Sequence, residues 1–262
     1  MRPLVMGILN VTPDSFFDGG RYFSYERAVS HGLEMFEQGA DIVDVGGESS
    51  RPGATPVSEA EELRRVLPVV EALAPRGRVS IDTIKPIVAA EAISKGATLI
   101  NDISASDALA QLAAETGVGW VAMHMQGTPL TMQQNPTYHD VVGEVREFLV
   151  RRAEYARSLG VEEVWVDPGI GFGKTVAHNL ALLASLPKLV EDGNPVLVGV
   201  SRKSFLGAVA SPRPGEILPP EQRGEASLAA AAICMAAGAR MVRVHDVEAT
   251  VQAARLVGDQ WE

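Results

Sequence analysis

Arg243 and His245 stand two residues apart in the apolar run Met241-Val242-Arg243-Val244-His245-Asp246. If the run is a strand, both side chains point to one face. With Lys203 of Ser201-Arg202-Lys203 they would form a cationic corner suited to a phosphate or diphosphate, in a chain whose net charge is -10. A salt-bridge network with Asp246 or Glu48 is the plainer reading of the same charges. Asp82, Asn101 and Asp167 close three other β-prone runs and would form an opposite corner, uncharged or negative. Such groups suit a flat heterocycle with N–H and amino donors beside a carbonyl acceptor, because a carboxylate accepts two parallel hydrogen bonds from such an edge. Metal binding and helix capping are the alternatives there.

Asp167 lies in Val164-Trp165-Val166-Asp167-Pro168-Gly169-Ile170-Gly171-Phe172-Gly173-Lys174-Thr175. The pattern reads as strand, loop and helix start, with glycines that let backbone N–H groups approach a ligand. A tight turn with a capping carboxylate would look similar. The Gly-Lys-Thr ending is not a phosphate-binding loop, since Pro168 stands where that loop needs its first glycine. Two loops carry glycine hinges and charge, Thr12–Arg21 (TPDSFFDGGR) and Gly46–Gly53 (GGESSRPG), and read as lids over a site. His31, His139 and His178 fall in helical patterns or at a helix start, where solvated or capping roles are expected; His124, between two methionines, either lines the site or packs in the core. No spacing resembles a zinc site.

The elements that must position these residues repeat. β-Prone runs at about 4–11, 41–47, 78–83, 98–104, 119–125, 163–168, 195–201 and 239–245 alternate with helical patterns at 25–38, 58–73, 85–95, 107–116, 141–159, 175–190, 221–237 and 247–257. Gly39, Gly96, Gly117, Gly160 and Gly238 sit where helices end. Eight strand–helix repeats predict a (β/α)8 TIM barrel, an α/β fold, as a single domain over residues 1–262. A doubly wound sheet would carry fewer strands and a Gly-x-Gly-x-x-Gly turn, which is missing. In a barrel the strand ends share one face, and here all eight are polar: Asn10, Glu48, Asp82, Asn101-Asp102, His124, Asp167, Ser201-Arg202-Lys203 and Arg243–Asp246. Capping explains any one of them; eight together exceed that need.

Composition narrows the partners. The acidic balance argues against nucleic acid and anionic membrane surfaces. The single Cys234 cannot form an internal disulfide, sits in an Ala-rich helical run as a small core residue, and fits a reducing cytoplasm. The first apolar run breaks at Thr12-Pro13-Asp14, too soon for a signal peptide or membrane span.

With these segments assembled, the chain resembles the dihydropteroate synthase family, pterin-binding (β/α)8 barrels of folate biosynthesis and the target of sulfonamides. The resemblance is carried by MGILNVTPDSFFDGG (6–20), DIVDVGGESSRPG (41–53), SIDT (80–83), NDI (101–103), MHMQGTPLTMQ (123–133), DPGIGFGKTVAHNL (167–180), VGVSRKS (198–204) and RVHDV (243–247). It implies a transferase that joins 6-hydroxymethyl-7,8-dihydropterin diphosphate to p-aminobenzoate, giving 7,8-dihydropteroate and diphosphate. It further implies that Asp82, Asn101, Asp167 and Lys203 hold the pterin edge, with Met123, Phe172 and Gly199 lining its slot. Arg243 would lie against the ring and near the diphosphate, with His245, Ser50 and Arg51 beside it and Asn10 acting through Mg²⁺. Ser201 and Lys203, with Phe16 and Pro52 of the two lids, would frame the p-aminobenzoate, and the protein would be a homodimer, with Ala226–Ala237 a candidate interface. Where the family commonly reads Ser-Phe-Ser-Asp and Glu-Ser-Thr-Arg, this chain has Ser15-Phe16-Phe17-Asp18 and Glu48-Ser49-Ser50-Arg51. Rivals are a pterin-binding paralogue without synthase activity, kept open by Phe17, and a methyltetrahydrofolate-dependent methyltransferase, which has no use for the cationic corner.

Overall fold

The computed structural model describes residues 2–12, 21–51 and 53–258. Phe16, Phe17 and Pro52, expected to frame a substrate or alter a lid, lie outside the described residues. The strands are β1 (Leu4–Asn10), β2 (Ile42–Gly46), β3 (Arg78–Asp82), β4 (Leu99–Asp102), β5 (Gly119–Met123), β6 (Val164–Asp167), β7 (Leu197–Val198) and β8 (Met241–Val244). All pair in parallel in the order β6-β5-β4-β3-β2-β1-β8-β7, and a parallel bridge between Val166 and Val196 joins the two ends. The sheet therefore closes into the eight-stranded barrel expected from the repeats.

The helices are α1 (Arg21–Glu37), α2 (Glu59–Leu73), α3 (Pro86–Ser94), α4 (Asp107–Thr116), α5 (Val141–Ser158), α6 (Val176–Ala184), α7 (Leu186–Glu191), α8 (Ser204–Ala210), α9 (Gly224–Ala236) and α10 (Val247–Gly258). Their ends follow local chemistry. The Ser58 and Ser106 hydroxyls accept the N–H groups of Glu61 and Leu109, and Thr175 forms a capping box with His178. The five glycines expected at helix ends all have positive φ, from 71° at Gly117 to 106° at Gly96. Two helical readings are corrected. The predicted helix 175–190 is divided at Ser185, because Pro187 lacks the N–H that a continuous helix would need. The pattern 221–237 begins as a short 3₁₀ turn, Pro220–Gln222, before α9. Helix α8, too short for its periodicity to register, was not expected.

The period of two along each strand divides the interior. Met6, Ile42, Leu99, Val121, Trp165, Leu197 and Met241 form one buried cluster, the packed plug of the barrel. The alternate residues, among them Val5, Val43, Val79, Ile100, Trp120, Val166, Val198 and Val242, pack in a second cluster with the apolar faces of the helices. Moving two residues from each plug position toward the strand's carboxyl end gives Ile8, Asp44, Asn101, Met123, Asp167, Gly199 and Arg243. The pleat thus places a ring that carries the polar side chains of Asp44, Asn101, Asp167 and Arg243 directly above an apolar plug. Cys234 is buried and free, as expected. Among the described residues no helix is long and apolar enough to cross a membrane.

Candidate active site

Arg243 is the hub of the polar ring. Its Nε donates to Asp44 Oδ2 at 2.6 Å and its Nη2 to Asp82 Oδ2 at 2.7 Å, while the Asn101 amide donates to the same Asp44 oxygen at 2.8 Å. Strands β8, β2, β3 and β4 are thereby tied together at one level. The guanidinium is an ion-pair partner, as the plainer reading allowed, but not of Asp246 or Glu48. Asp246 instead accepts from Arg202, and Glu48 from Lys85. Asp44 is fully buried and its Oδ1 has no partner among the described residues. Asp44 is not among the polar strand ends, since it lies in the middle of β2. The signal was a lone carboxylate at an inward position of Ile42-Val43-Asp44-Val45-Gly46.

Burial pushes the Asp82 carboxyl up to about 7, with Arg243 opposing and Asp44, Glu62 and Asp102 reinforcing. Asp167 is also raised, first by burial, against the pull of Lys203, the Gly169 N–H and the charges of Lys174 and Arg243. Holding these carboxylates ionised is costly, so a ligand that brings N–H donors or positive charge relieves them. Asp102, by contrast, is structural: its oxygens accept from the Ser104 and Ser106 backbones and from Trp120 Nε1.

At the opposite wall, the Lys203 ammonium donates to the Ile170 carbonyl and lies 4.7 Å from the centre of the Phe172 ring. Burial, reinforced by Arg243 and opposed by Asp167, lowers it to about 8. The Ser201 hydroxyl accepts the His245 backbone N–H at 3.2 Å and lies 2.9 Å from His245 Nδ1. The hydroxyl has a second lone pair as well as its own proton, so the contact accommodates either neutral tautomer of His245. Burial and the charges of Arg243 and Arg202 lower His245 to about 4, so the ring is neutral at pH 7. Arg51 is exposed, and its charge also reaches His245. Ser50 is half-buried and lines, with Asp82, Glu48 and Ile103, a small open cleft. Asn10 is half-buried at the end of β1, in register with Gly46, where the second lid begins.

The glycine-rich loop after β6 is held by a lysine that the sequence reading left without a role. Lys174 is 3% exposed, and its ammonium reaches His124 Nδ1 at 3.0 Å, the His124 carbonyl at 3.3 Å and the Phe172 carbonyl at 3.0 Å. Burial lowers it to about 7, and burial together with Lys174 lowers His124 to about 3. His124 thus proves to be a packed, hydrogen-bonded residue, edge-on to Phe148 at 5.0 Å. The glycines allow the two loops to touch: a Cβ on Gly169, whose φ is +64°, would come 1.8 Å from the His124 carbonyl oxygen. Gly169→Ala is expected to destabilise the protein by about 3 kcal/mol, combining backbone strain with overpacking, as read by urea denaturation.

The two opposite corners expected from the sequence are not separate, since Arg243 pairs with Asp82 and Lys203 acts on Asp167; interleaved carboxylates and cations share, with the Phe172 ring, the carboxyl end of a closed parallel barrel, where such barrels carry their chemistry. The chain belongs to the pterin binding enzyme family, whose model matches residues 6–245. Its relatives within that family are dihydropteroate synthases. The synthase of Escherichia coli K12 is 49% identical over 263 residues, covering 98% of this chain and 91% of the relative. The crystal structure of Yersinia pestis dihydropteroate synthase in a sulfonamide drug complex superposes with a TM-score of 0.90 at 46% identity, covering 98% of this chain and 94% of that one. Dihydropteroate synthase from Xanthomonas albilineans in complex with 7,8-dihydropteroate gives 0.86 at 44% identity, covering 97% and 92%.

Proposed function

We infer that this chain is a dihydropteroate synthase: a transferase of folate biosynthesis that joins 6-hydroxymethyl-7,8-dihydropterin diphosphate to p-aminobenzoate. The observation that carries the reading is the Arg243 hub, one guanidinium oriented by Asp44 and Asp82. Asp167 and Asn101 face the position of the pterin edge, with Met123, Phe172 and Gly199 as its slot and Lys203 beside it. Two of the five Arg243 N–H groups are used on carboxylates among the described residues. Its plane is therefore set, and it lies against the ring with its remaining donors toward the diphosphate. The neutral His245, in the tautomer that carries its proton on Nε2, donates to the same group, next to Ser50 and Arg51 of the second lid. Ser201 and Lys203 stand where p-aminobenzoate would approach.

The bond from the pterin methylene to the diphosphate oxygen breaks with its electron pair going to the diphosphate. The arylamine lone pair forms the new C–N bond, and the amine then loses a proton to solvent. Positive charge on the methylene is shared with the electron-rich ring, and the buried carboxylates of Asp82 and Asp167 stabilise it without moving. The arylamine is already a neutral nucleophile at pH 7, so no strong general base is required.

Among the described residues no cluster of three His, Cys, Asp or Glu could cage a metal ion. Mg²⁺ needs no such cage, since it is commonly held by one or two protein oxygens together with substrate phosphates and water. The Asn10 amide oxygen at the mouth of β1 fits that role. Bound Mg²⁺ would supply charge neutralisation on the diphosphate. The protein would act as a single-domain enzyme in the cytoplasm, without nucleic-acid or membrane partners, and as a homodimer. The exposure of Ile233 (63%) on the apolar helix α9 supports the last point. The test is diphosphate release by the purified protein. Release that needs p-aminobenzoate and is abolished by EDTA supports the reading; release indifferent to both argues against it.

A further inference from the structure

We infer that Lys85 is a positioning residue that knots the base of the second lid, and so holds Ser50 and Arg51 over the site. The inference rests on the synthase reading for what the lid covers, and on geometry alone for the knot. Lys85 stands at the N-terminus of α3, three residues after Asp82. Its ammonium donates to Glu48 Oε2 at 2.5 Å, to the Val57 carbonyl at 2.9 Å and to Glu62 Oε2 at 2.5 Å. Glu48 begins the segment that carries Ser50 and Arg51, and Val57 ends it. The Val57 N–H returns to Glu48 Oε2 at 3.0 Å, so the two ends of a ten-residue segment are closed on one nitrogen, as in a compact Ω-loop.

The knot is also fastened to the barrel. Glu62 of α2 is 1% exposed and accepts from the Thr83 hydroxyl at 2.7 Å, and Thr83 adjoins Asp82. The lid base, helix α2 and the β3 strand end therefore move as one body. Among the described contacts of the tip, the Arg51 N–H reaches Ser49 Oγ at 3.4 Å, the Gly53 N–H the Pro129 carbonyl at 3.2 Å and the Ala54 N–H the Arg51 carbonyl at 3.1 Å. A loop fixed at its base keeps the residues it carries in register with the strand end beneath them.

Two carboxylates converge on this single ammonium. Burial alone would lower the Lys85 pKa, and the hydrogen bonds to Glu48 and Glu62 reverse that and raise it, so the charge is kept. Removing it leaves Glu48 and the buried Glu62 facing each other without a cation, and their repulsion opens the base. The pterin-facing residues Asn101 and Asp167 lie on strands outside the knot and keep their geometry.

The experiment compares the full-length protein with Lys85→Met and with the milder Glu48→Gln, which removes one charge and remains a hydrogen-bonding side chain. Hydrogen exchange read by mass spectrometry is expected to quicken by about tenfold or more in peptides covering 47–58 and to stay unchanged in β4 and β6. Glu48→Gln is expected to shift the same peptides by a smaller factor. In steady-state kinetics, the KM for the dihydropterin diphosphate is expected to rise about tenfold in Lys85→Met with a smaller change in kcat, while affinity for 6-hydroxymethyl-7,8-dihydropterin, which lacks the diphosphate, stays within about twofold by calorimetry. Unchanged exchange over 47–58 in both variants would overturn the inference, as would a uniform rise across the barrel. The exchange readout needs no activity, so a chain that made no dihydropteroate would refute the synthase reading and leave the knot to be judged separately.

Discussion

Arg243→Met is expected to lose about 10³-fold in kcat/KM and about 3 kcal/mol of stability together. The coupling follows from the hub. The guanidinium is the cation for two buried carboxylates, Asp44 at 2.6 Å and Asp82 at 2.7 Å, and under the proposed function it also faces the leaving diphosphate. Methionine fills the volume but leaves both carboxylates unpaired in the barrel mouth, and breaking a buried pair from one side costs more than the pair contributes. Arg243→Lys separates the two roles. It keeps the charge and loses the planar fork, so stability should recover more than activity. Denaturation and steady-state kinetics on both variants check this, and equal recovery of the two quantities would contradict the double role.

Asp167→Asn is expected to give the opposite pairing, with a fall of about 10³ in kcat/KM and a small gain in stability at neutral pH. The raised pKa of Asp167 in the folded protein, with burial as its main cause, means that the native state binds a proton more readily than the unfolded chain. Its contribution to stability is therefore fully present below the ordinary carboxylate pKa of about 4, and is lost as the pH rises through the folded value. Asparagine can still accept the Gly169 N–H, which lies 2.7 Å from Oδ1, and carries no charge to desolvate. Unfolding curves between about pH 4 and pH 8 should show the variant's advantage growing with pH. A wild type that is the more stable at pH 8 would refute the assignment of Asp167 as a strained site residue.

Much of this site was legible because the strand period carries it. Asp82, Asn101, Met123, Asp167 and Arg243 fall in phase on their strands, and Gly199, Ser201 and His245 continue the same count just beyond β7 and β8, so the phase directs them inward with no appeal to long-range contacts. The out-of-phase polar residues Asp102 and His124 have structural roles, and the same rule would have sorted them. What the sequence could not show was pairing between distant segments. Asp44 and Arg243 are 199 residues apart, and nothing local in either run names the other. Lys174 and Lys85 look like ordinary loop and helix-start lysines until the fold brings His124 to one and Glu48 and Glu62 to the other. The division at Ser185 was readable from Pro187, whereas α8 is too short to have a visible period.

The most direct test of the central claim is to incubate the purified protein with 6-hydroxymethyl-7,8-dihydropterin diphosphate, Mg²⁺ and p-aminobenzoate and to identify the product by chromatography and mass spectrometry. A product with the mass of 7,8-dihydropteroate, formed only when both substrates are present, is the predicted result. A folded protein that binds the pterin and yields no dihydropteroate would contradict the assignment.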